Sequence, residues 1–227
     1  PGSARNIGIE NARGEYVSFI DSDDWVESNF LKPLYLMGVI YDADIVSTGI
    51  KVNYEKEKRV QEIKFPDNTC VENMEIGKLF WELHKSKLSN YPVTRIYKKE
   101  LLRKNKLKFS TELSVGEDLI FNLHAFTLAS KVCVNNLASY HYMKREIPTL
   151  TSSYNPNFKE GSLLQLKEYR TFFSTFSLRN IEHDEFIQSF INKRYINLVT
   201  NLYKKNSPYT FKARNEMIKS EIFVSGI

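Results

Sequence analysis

Hydrophobic and polar positions change period several times along the 227 residues. Near the start, Ile7, Ile9 and Ala12 recur at helical spacing behind Ser3, a suitable N-cap, and Gly14 marks a stop. Tyr16 to Ile20 then reads as a short buried strand, and Val26 to Tyr41 as a helix with Pro33 as a candidate kink. "ADIVSTGIKVNY" predicts a second strand, and "KVNYEKEKRVQEIKF" a hairpin around a charged tip. Ile76, Leu79, Phe80 and Leu83 line one face of a predicted helix from Glu75 to Lys87. "YPVTRIYKKELLRKNKLKF" predicts a short strand and a short helix, "EDLIFNLHAFTLAS" a helix, and "KVCVNN" and "ASYHYMK" two more strands. Strands that alternate with helices in this way predict an α/β fold.

After the polar "REIPTLTSSYNPN" the texture becomes wholly helical. Leu164, Leu166, Tyr169, Phe173 and Phe176 recur at helical spacing, followed by Phe186, Phe190, Tyr195, Leu198 and Leu202. The division falls between an α/β region, residues 1–154, and a helical C-terminal region, residues 155–227. So many aromatic positions must pack on the α/β body, on each other or on a second copy, which would make the protein a homo-oligomer.

Charge adds a little to this picture. Lys+Arg number 32 and Asp+Glu 27, a net charge of +5, and four of the five lie in residues 155–227 (11 basic against 7 acidic). That balance suits an anionic membrane surface or small ligand and falls short of a nucleic-acid-binding surface. A solvated helical face explains the same numbers. No apolar run reaches the roughly 18 residues that span a bilayer. Cys70 and Cys133 are too few for a disulfide framework; Cys133 reads as a small buried hydrophobe, and a reducing cytoplasm fits.

The chemistry is concentrated in "YVSFIDSDDWV", where a strand runs into Asp21, Asp23 and Asp24. Like charges packed this closely repel. A hard divalent cation, Mn²⁺ or Mg²⁺, relieves them and takes carboxylates together with substrate phosphates as ligands. In an extended segment Asp21 and Asp23 share a side, Asp24 points away and Trp25 walls a pocket. The alternative is an acidic helix start, capped by Asp24 or Ser28. Glu117 and Asp118, in the first turn of a predicted helix, invite a similar choice between dipole-favoured acids and a general base.

The order "SARNIGIENARGEYVSFIDSDDWV" resembles the central stretch of bacterial family 2 glycosyltransferases, inverting enzymes of the GT-A fold that use nucleotide sugars. The resemblance covers about residues 1–153. It implies the C-terminal portion of a GT-A mixed sheet with flanking helices, plus a helical appendage. By resemblance, Arg5 reaches the nucleotide, Asp21 the ribose or the metal shell, and Asp23 the cation. Asp118 becomes the base that deprotonates the acceptor hydroxyl, with Glu117 as its partner. "YHYMKREIPTLTSS" resembles the segment over the donor diphosphate, where Arg145 would neutralise the leaving group and His141 reads as a strand histidine. The implied activity is metal-dependent transfer to a surface polysaccharide or lipid-linked glycan, in the cytoplasm or at the inner face of the membrane.

The family's first βαβ unit, which carries much of the nucleotide pocket, has no counterpart here. The resemblance therefore also implies that this stretch by itself is inactive. A non-catalytic piece that acts as a scaffold or associates with itself is the second reading. A dehalogenase-type phosphohydrolase, which also uses Asp-x-Asp after a strand, fits poorly because Asp24 and Trp25 follow Asp23.

Overall fold

The computed structural model describes residues 2–113, 115–145, 153–178 and 180–219. Helix α1 (Gly2–Asn11) leads into β1 (Tyr16–Ser18), β2 (Trp25–Val26) and α2 (Leu31–Tyr41). Next come β3 (Ile45–Ser47), β4 (Ile50–Tyr54), β5 (Arg59–Ile63) and β6 (Thr69–Glu72). Helix α3 (Glu75–Lys85), β7 (Arg95–Lys98), α4 (Lys99–Lys104), α5 (Glu117–Leu128), β8 (Lys131–Val134) and β9 (Tyr140–Lys144) complete the α/β part. Helices α6 (Phe158–Thr175), α7 (Ile181–Leu202) and α8 (Phe211–Lys219) follow.

Two mixed sheets result. One runs β1-β7-β3-β8-β6 and the other β2-β9-β4-β5. In the first, only β3 and β8 are parallel; in the second, only β4 and β9. The run read as one strand, "ADIVSTGIKVNY", is therefore two, β3 and β4, one in each sheet. Gly49 stands at the break. A Cβ there would lie 2.4 Å from the Ile63 carbonyl oxygen and 2.8 Å from that of Leu137, so no other residue fits where the sheets part.

The helix expected over Val26 to Tyr41 starts later, at Leu31, because Trp25 and Val26 pair with His141 and Tyr140. Pro33 consequently falls in the first turn, where a helix has no backbone bond to lose. The core contains Leu34, Ile45, Ile76, Phe80, Phe126, Val132 and Tyr140, all essentially without solvent contact. Arg95 is buried with them. It donates from Nε to the Ser47 hydroxyl (3.1 Å) and through its terminal nitrogens to the carbonyls of Leu88 and Tyr91.

Helix α6 joins this body through its aromatic stripe. Phe172 packs on Phe80 (4.6 Å between centroids) and Phe173 on Trp81 (5.5 Å), while Phe186 of α7 closes on Tyr169 and Trp81 (4.9 and 5.1 Å). Helix α2 does the opposite. Leu34 and Gly38 face inward, but Leu31, Tyr35, Leu36, Val39, Ile40 and Tyr41 remain exposed, Ile40 by 71%.

The cysteines correct the sequence reading. Cys70 and Cys133 are 63 residues apart, yet the antiparallel register of β6 and β8 sets them opposite one another, and they form a disulfide with Cα atoms 4.1 Å apart. Strand β6 was not visible in the hydrophobic pattern, so the pairing was not either. The count of two cysteines thus carries no argument for a reducing compartment. Free-thiol titration of the unfolded protein should read none before reduction and two after. Reduction should lower unfolding free energy by about 2–4 kcal/mol, since a long loop is released; unchanged stability in a denaturant titration would show that the bond does not hold β6 to β8.

Candidate functional site

Arg5 is the centre of the site. Helix α1 presents it, and Asn6 fixes that helix by exchanging two hydrogen bonds with the backbone of Phe109 (2.8 and 2.9 Å). The guanidinium is 10% exposed and lies 5.1 Å from the centroid of the Phe109 ring. One terminal nitrogen donates to Asp21 Oδ1 at 2.7 Å, and the other is ion-paired with Asp118 Oδ1. A carboxylate just past β1 and one at the start of α5 therefore share a single cation.

The acidic loop is tied down from a different strand. Asp24 accepts from the Tyr140 hydroxyl (2.7 Å) and from the backbone N–H of Met143 (2.8 Å), both on β9. The Tyr140 oxygen in turn accepts from the N–H of Asp21 (3.2 Å). Asp24 and Ser28 do not cap the next helix, whose N-cap Phe30 has no side-chain bond, so the alternative reading of the cluster fails. Burial raises Asp24 above the ordinary carboxylate value against those two hydrogen bonds, with Asp23 and Asp21 adding to the rise. Asp23 is left with no hydrogen bond or ion pair among the described residues. A cleft of about 570 Å³ opens here, lined by Arg5, Gly8, Ser18, Phe19, Asp21 and Asp23 among others.

Glu117 and Asp118 begin α5, after Gly116 at φ 92°, a left-handed conformation that glycine tolerates best. Glu117 is buried and Asp118 partly so. Asp118 is pushed up to about 7, first by burial and then by the charges of Glu117 and Asp21, with Arg5 pulling it down. A carboxyl poised there is suited to accept a proton near neutral pH. Because its folded-state value is raised, its contribution to stability is full below about 4 and is lost as pH rises through about 7.

Among the described residues no three His, Cys, Asp or Glu side chains converge as a complete cation site. The donor set present is Asp23 and the oxygen of Asp21 that Arg5 leaves open. Two carboxylates suit Mg²⁺ or Mn²⁺ when substrate phosphates fill the remaining positions. Arg145 follows β9 as an exposed residue and joins none of these ion pairs; residues 146–152, which carried the rest of that expectation, lie outside the described residues. His141 is a buried strand histidine, as the sequence suggested. Its Nε2 lies 3.2 Å from Glu27, its Nδ1 3.2 Å from Asn53 Nδ2, and its ring under Trp25.

Reading the sequence missed Tyr140, Asn6 and the role of Asp24. Each acts across more than 100 positions, on partners that no local spacing betrays. Tyr140 had only the alternation of "ASYHYMK" to mark it as inward-facing.

A mixed sheet with an acidic loop beyond a strand end, backed by a helix carrying Arg5, defines a GT-A type of domain. Residues 1–107 match the family model described as glycosyl transferase family 2, and over that stretch the chain belongs to the family. The poly(ribitol-phosphate) beta-glucosyltransferase of Bacillus spizizenii is 30% identical over 69% of this chain and 23% of its own length. The poly(ribitol-phosphate) beta-N-acetylglucosaminyltransferase TarS of Staphylococcus aureus is 28% identical over 68% of this chain and 25% of its own. The crystal structure of S. aureus TarS 1–349 in complex with UDP-GlcNAc superposes with a TM-score of 0.66 at 25% identity, covering all of this chain and 62% of that one. The chain thus spans about a quarter of the length of those two curated relatives. Among the described residues no helix is long and apolar enough to cross a membrane.

Nuclear magnetic resonance titration of the Asp118 carboxyl should find its midpoint near 7. Arg5→Gln should move that midpoint further up, because a cation that favours the charged form is lost; a midpoint near 4 in the unaltered protein would show that burial does not raise this carboxyl.

Proposed function

We propose that this chain is the acceptor-activating and metal-holding part of an inverting glycosyltransferase, which moves a sugar from a nucleoside-diphosphate donor to a glycan hydroxyl. The observation that carries the proposal is the Arg5 bridge, which places a raised-pKa carboxyl beside the acidic loop. The donor class is supported by the family match and by the solved relative bound to UDP-GlcNAc. A surface polysaccharide or lipid-linked acceptor is supported by the relatives named for poly(ribitol-phosphate). Action in the cytoplasm, beside the membrane, belongs to the same reading.

The acceptor oxygen attacks the anomeric carbon from the side opposite the diphosphate. Its proton passes to an Asp118 oxygen as the new C–O bond forms, while the bond from the anomeric carbon to the diphosphate breaks and its electron pair leaves with the phosphate. Inversion follows from that single displacement. Asp23 and Asp21 would hold Mn²⁺ or Mg²⁺, which when bound offsets the charge of the leaving diphosphate. Arg5 orients Asp118 and keeps Asp21 in place; its expected contact with the nucleotide would require one of these ion pairs to yield. Glu117 supports the base from within the first turn, and Arg145 remains a candidate for the leaving phosphate.

In the full-length enzyme, Asp118→Asn should lower kcat by a factor on the order of 10² to 10⁴ with donor affinity little changed. Asp23→Asn should abolish divalent-cation-dependent donor binding, read by calorimetry, and leave the thermal midpoint nearly unmoved. A D118N enzyme that keeps its kcat but no longer binds donor would exchange the two roles.

A further inference from the structure

Trp25 is half exposed, at 48%, where a chain with a well-filled core has every reason to cover an indole. The other tryptophan, Trp81, is buried in the aromatic cluster of α3, α6 and α7. The exposure of Trp25 is confined to one side. His141 lies flat against the other face, with 3.5 Å between centroids and 15° between planes. That imidazole is itself buried and held at both nitrogens, by Glu27 on one side and Asn53 on the other, and Lys51 anchors Glu27 at 2.5 Å. Cross-strand pairing of Trp25 with His141 fixes the register. The indole is therefore a rigid plate with one wet face.

Its position says what the plate is for. Trp25 lies two residues beyond Asp23, yet it is not among the residues lining the cleft that holds Arg5, Asp21 and Asp23. Asp24, which turns its carboxylate toward β9, separates the two. A donor whose diphosphate meets Asp23 in the cleft leaves the plate free for the other substrate. A flat indole suits the apolar C–H face of a pyranose ring, just as aromatic side chains at interfaces offer large, stiff contact area at low entropic cost. Asp21 is paired with Arg5 and Glu27 with Lys51, which leaves Asp23 as the unpaired acid of this loop among the described residues, and a neutral sugar meets less repulsion there than an anionic polymer.

We infer that the exposed face of Trp25, backed by His141, is the acceptor subsite and binds a neutral hexopyranose ring rather than a polyol phosphate. This rests on the proposed transferase reading for the word acceptor, though binding itself does not require turnover. Trp81→Phe leaves Trp25 as the sole indole, and its fluorescence can be titrated with cellobiose, ribitol 5-phosphate and UDP. A saturable change with cellobiose alone, in the millimolar range, is the expected result. No response to cellobiose, or a larger one to ribitol 5-phosphate or UDP, overturns the inference.

Should that variant not fold, saturation-transfer NMR on the unaltered protein reads the same contact. Transfer should favour the axial ring protons of one cellobiose face and fall on the order of tenfold in Trp25→Ala; equal transfer in the two proteins overturns the inference. Calorimetry of the full-length enzyme with UDP and Mn²⁺ tests the donor reading separately. Cellobiose binding without UDP binding to that enzyme would sink the donor reading and leave the plate standing, and the reverse would sink the plate alone.

Discussion

One guanidinium holds the site together. Asp21, Asp23, Glu117 and Asp118 bring four carboxyl groups together, and among the described residues only Arg5 reaches two of them. Without it, α5 would present its acidic first turn toward the acidic loop with nothing between. The bridge also sets a balance in Asp118: burial and two like charges push its proton affinity up, and Arg5 limits the rise. Burial acting alone would hold the proton more tightly, and the cation acting alone would release it more readily. The midpoint near neutrality is a compromise among groups drawn from α1, the loop after β1 and α5.

The loop of aspartates has a division of labour that its spelling conceals. Asp21 is bound to Arg5, Asp24 to Tyr140 and the Met143 N–H, and Asp23 alone is left for an outside partner among the described residues. Tyr140 is the hinge pin. Its hydroxyl accepts from the loop backbone and donates to the loop side chain, so β9 positions the acids although it contributes none of them. A phenol buried between two such partners holds its proton tightly, and burial raises it well above an ordinary tyrosine.

Much of this was legible in order but not in space. The helix with Arg5, the strand into the aspartates and the acidic start of α5 could all be read from period and residue type, because each is local. The break of "ADIVSTGIKVNY" into two sheets turned on Gly49, whose missing side chain is meaningful only once the Ile63 and Leu137 carbonyls are seen against it. Strand β6 was invisible because "TCVE" is short and half polar, and with it went the Cys70–Cys133 bond. The ion pair of Arg5 with Asp118 depends on a helix more than a hundred residues away. Long-range pairing left no trace in spacing.

Helix α2 carries a consequence for how the protein behaves as a colloid. Six large apolar side chains lie open on one helix, and a like net charge of +5 on each molecule opposes the approach of two such surfaces. That repulsion reaches about 10 Å at 0.1 M salt and only about 3 Å at 1 M, while sulfate-type salts strengthen apolar contact. Dilute buffer favours dispersal and concentrated salt favours clumping. The ionic medium thereby bears on how much of this protein a solution can hold.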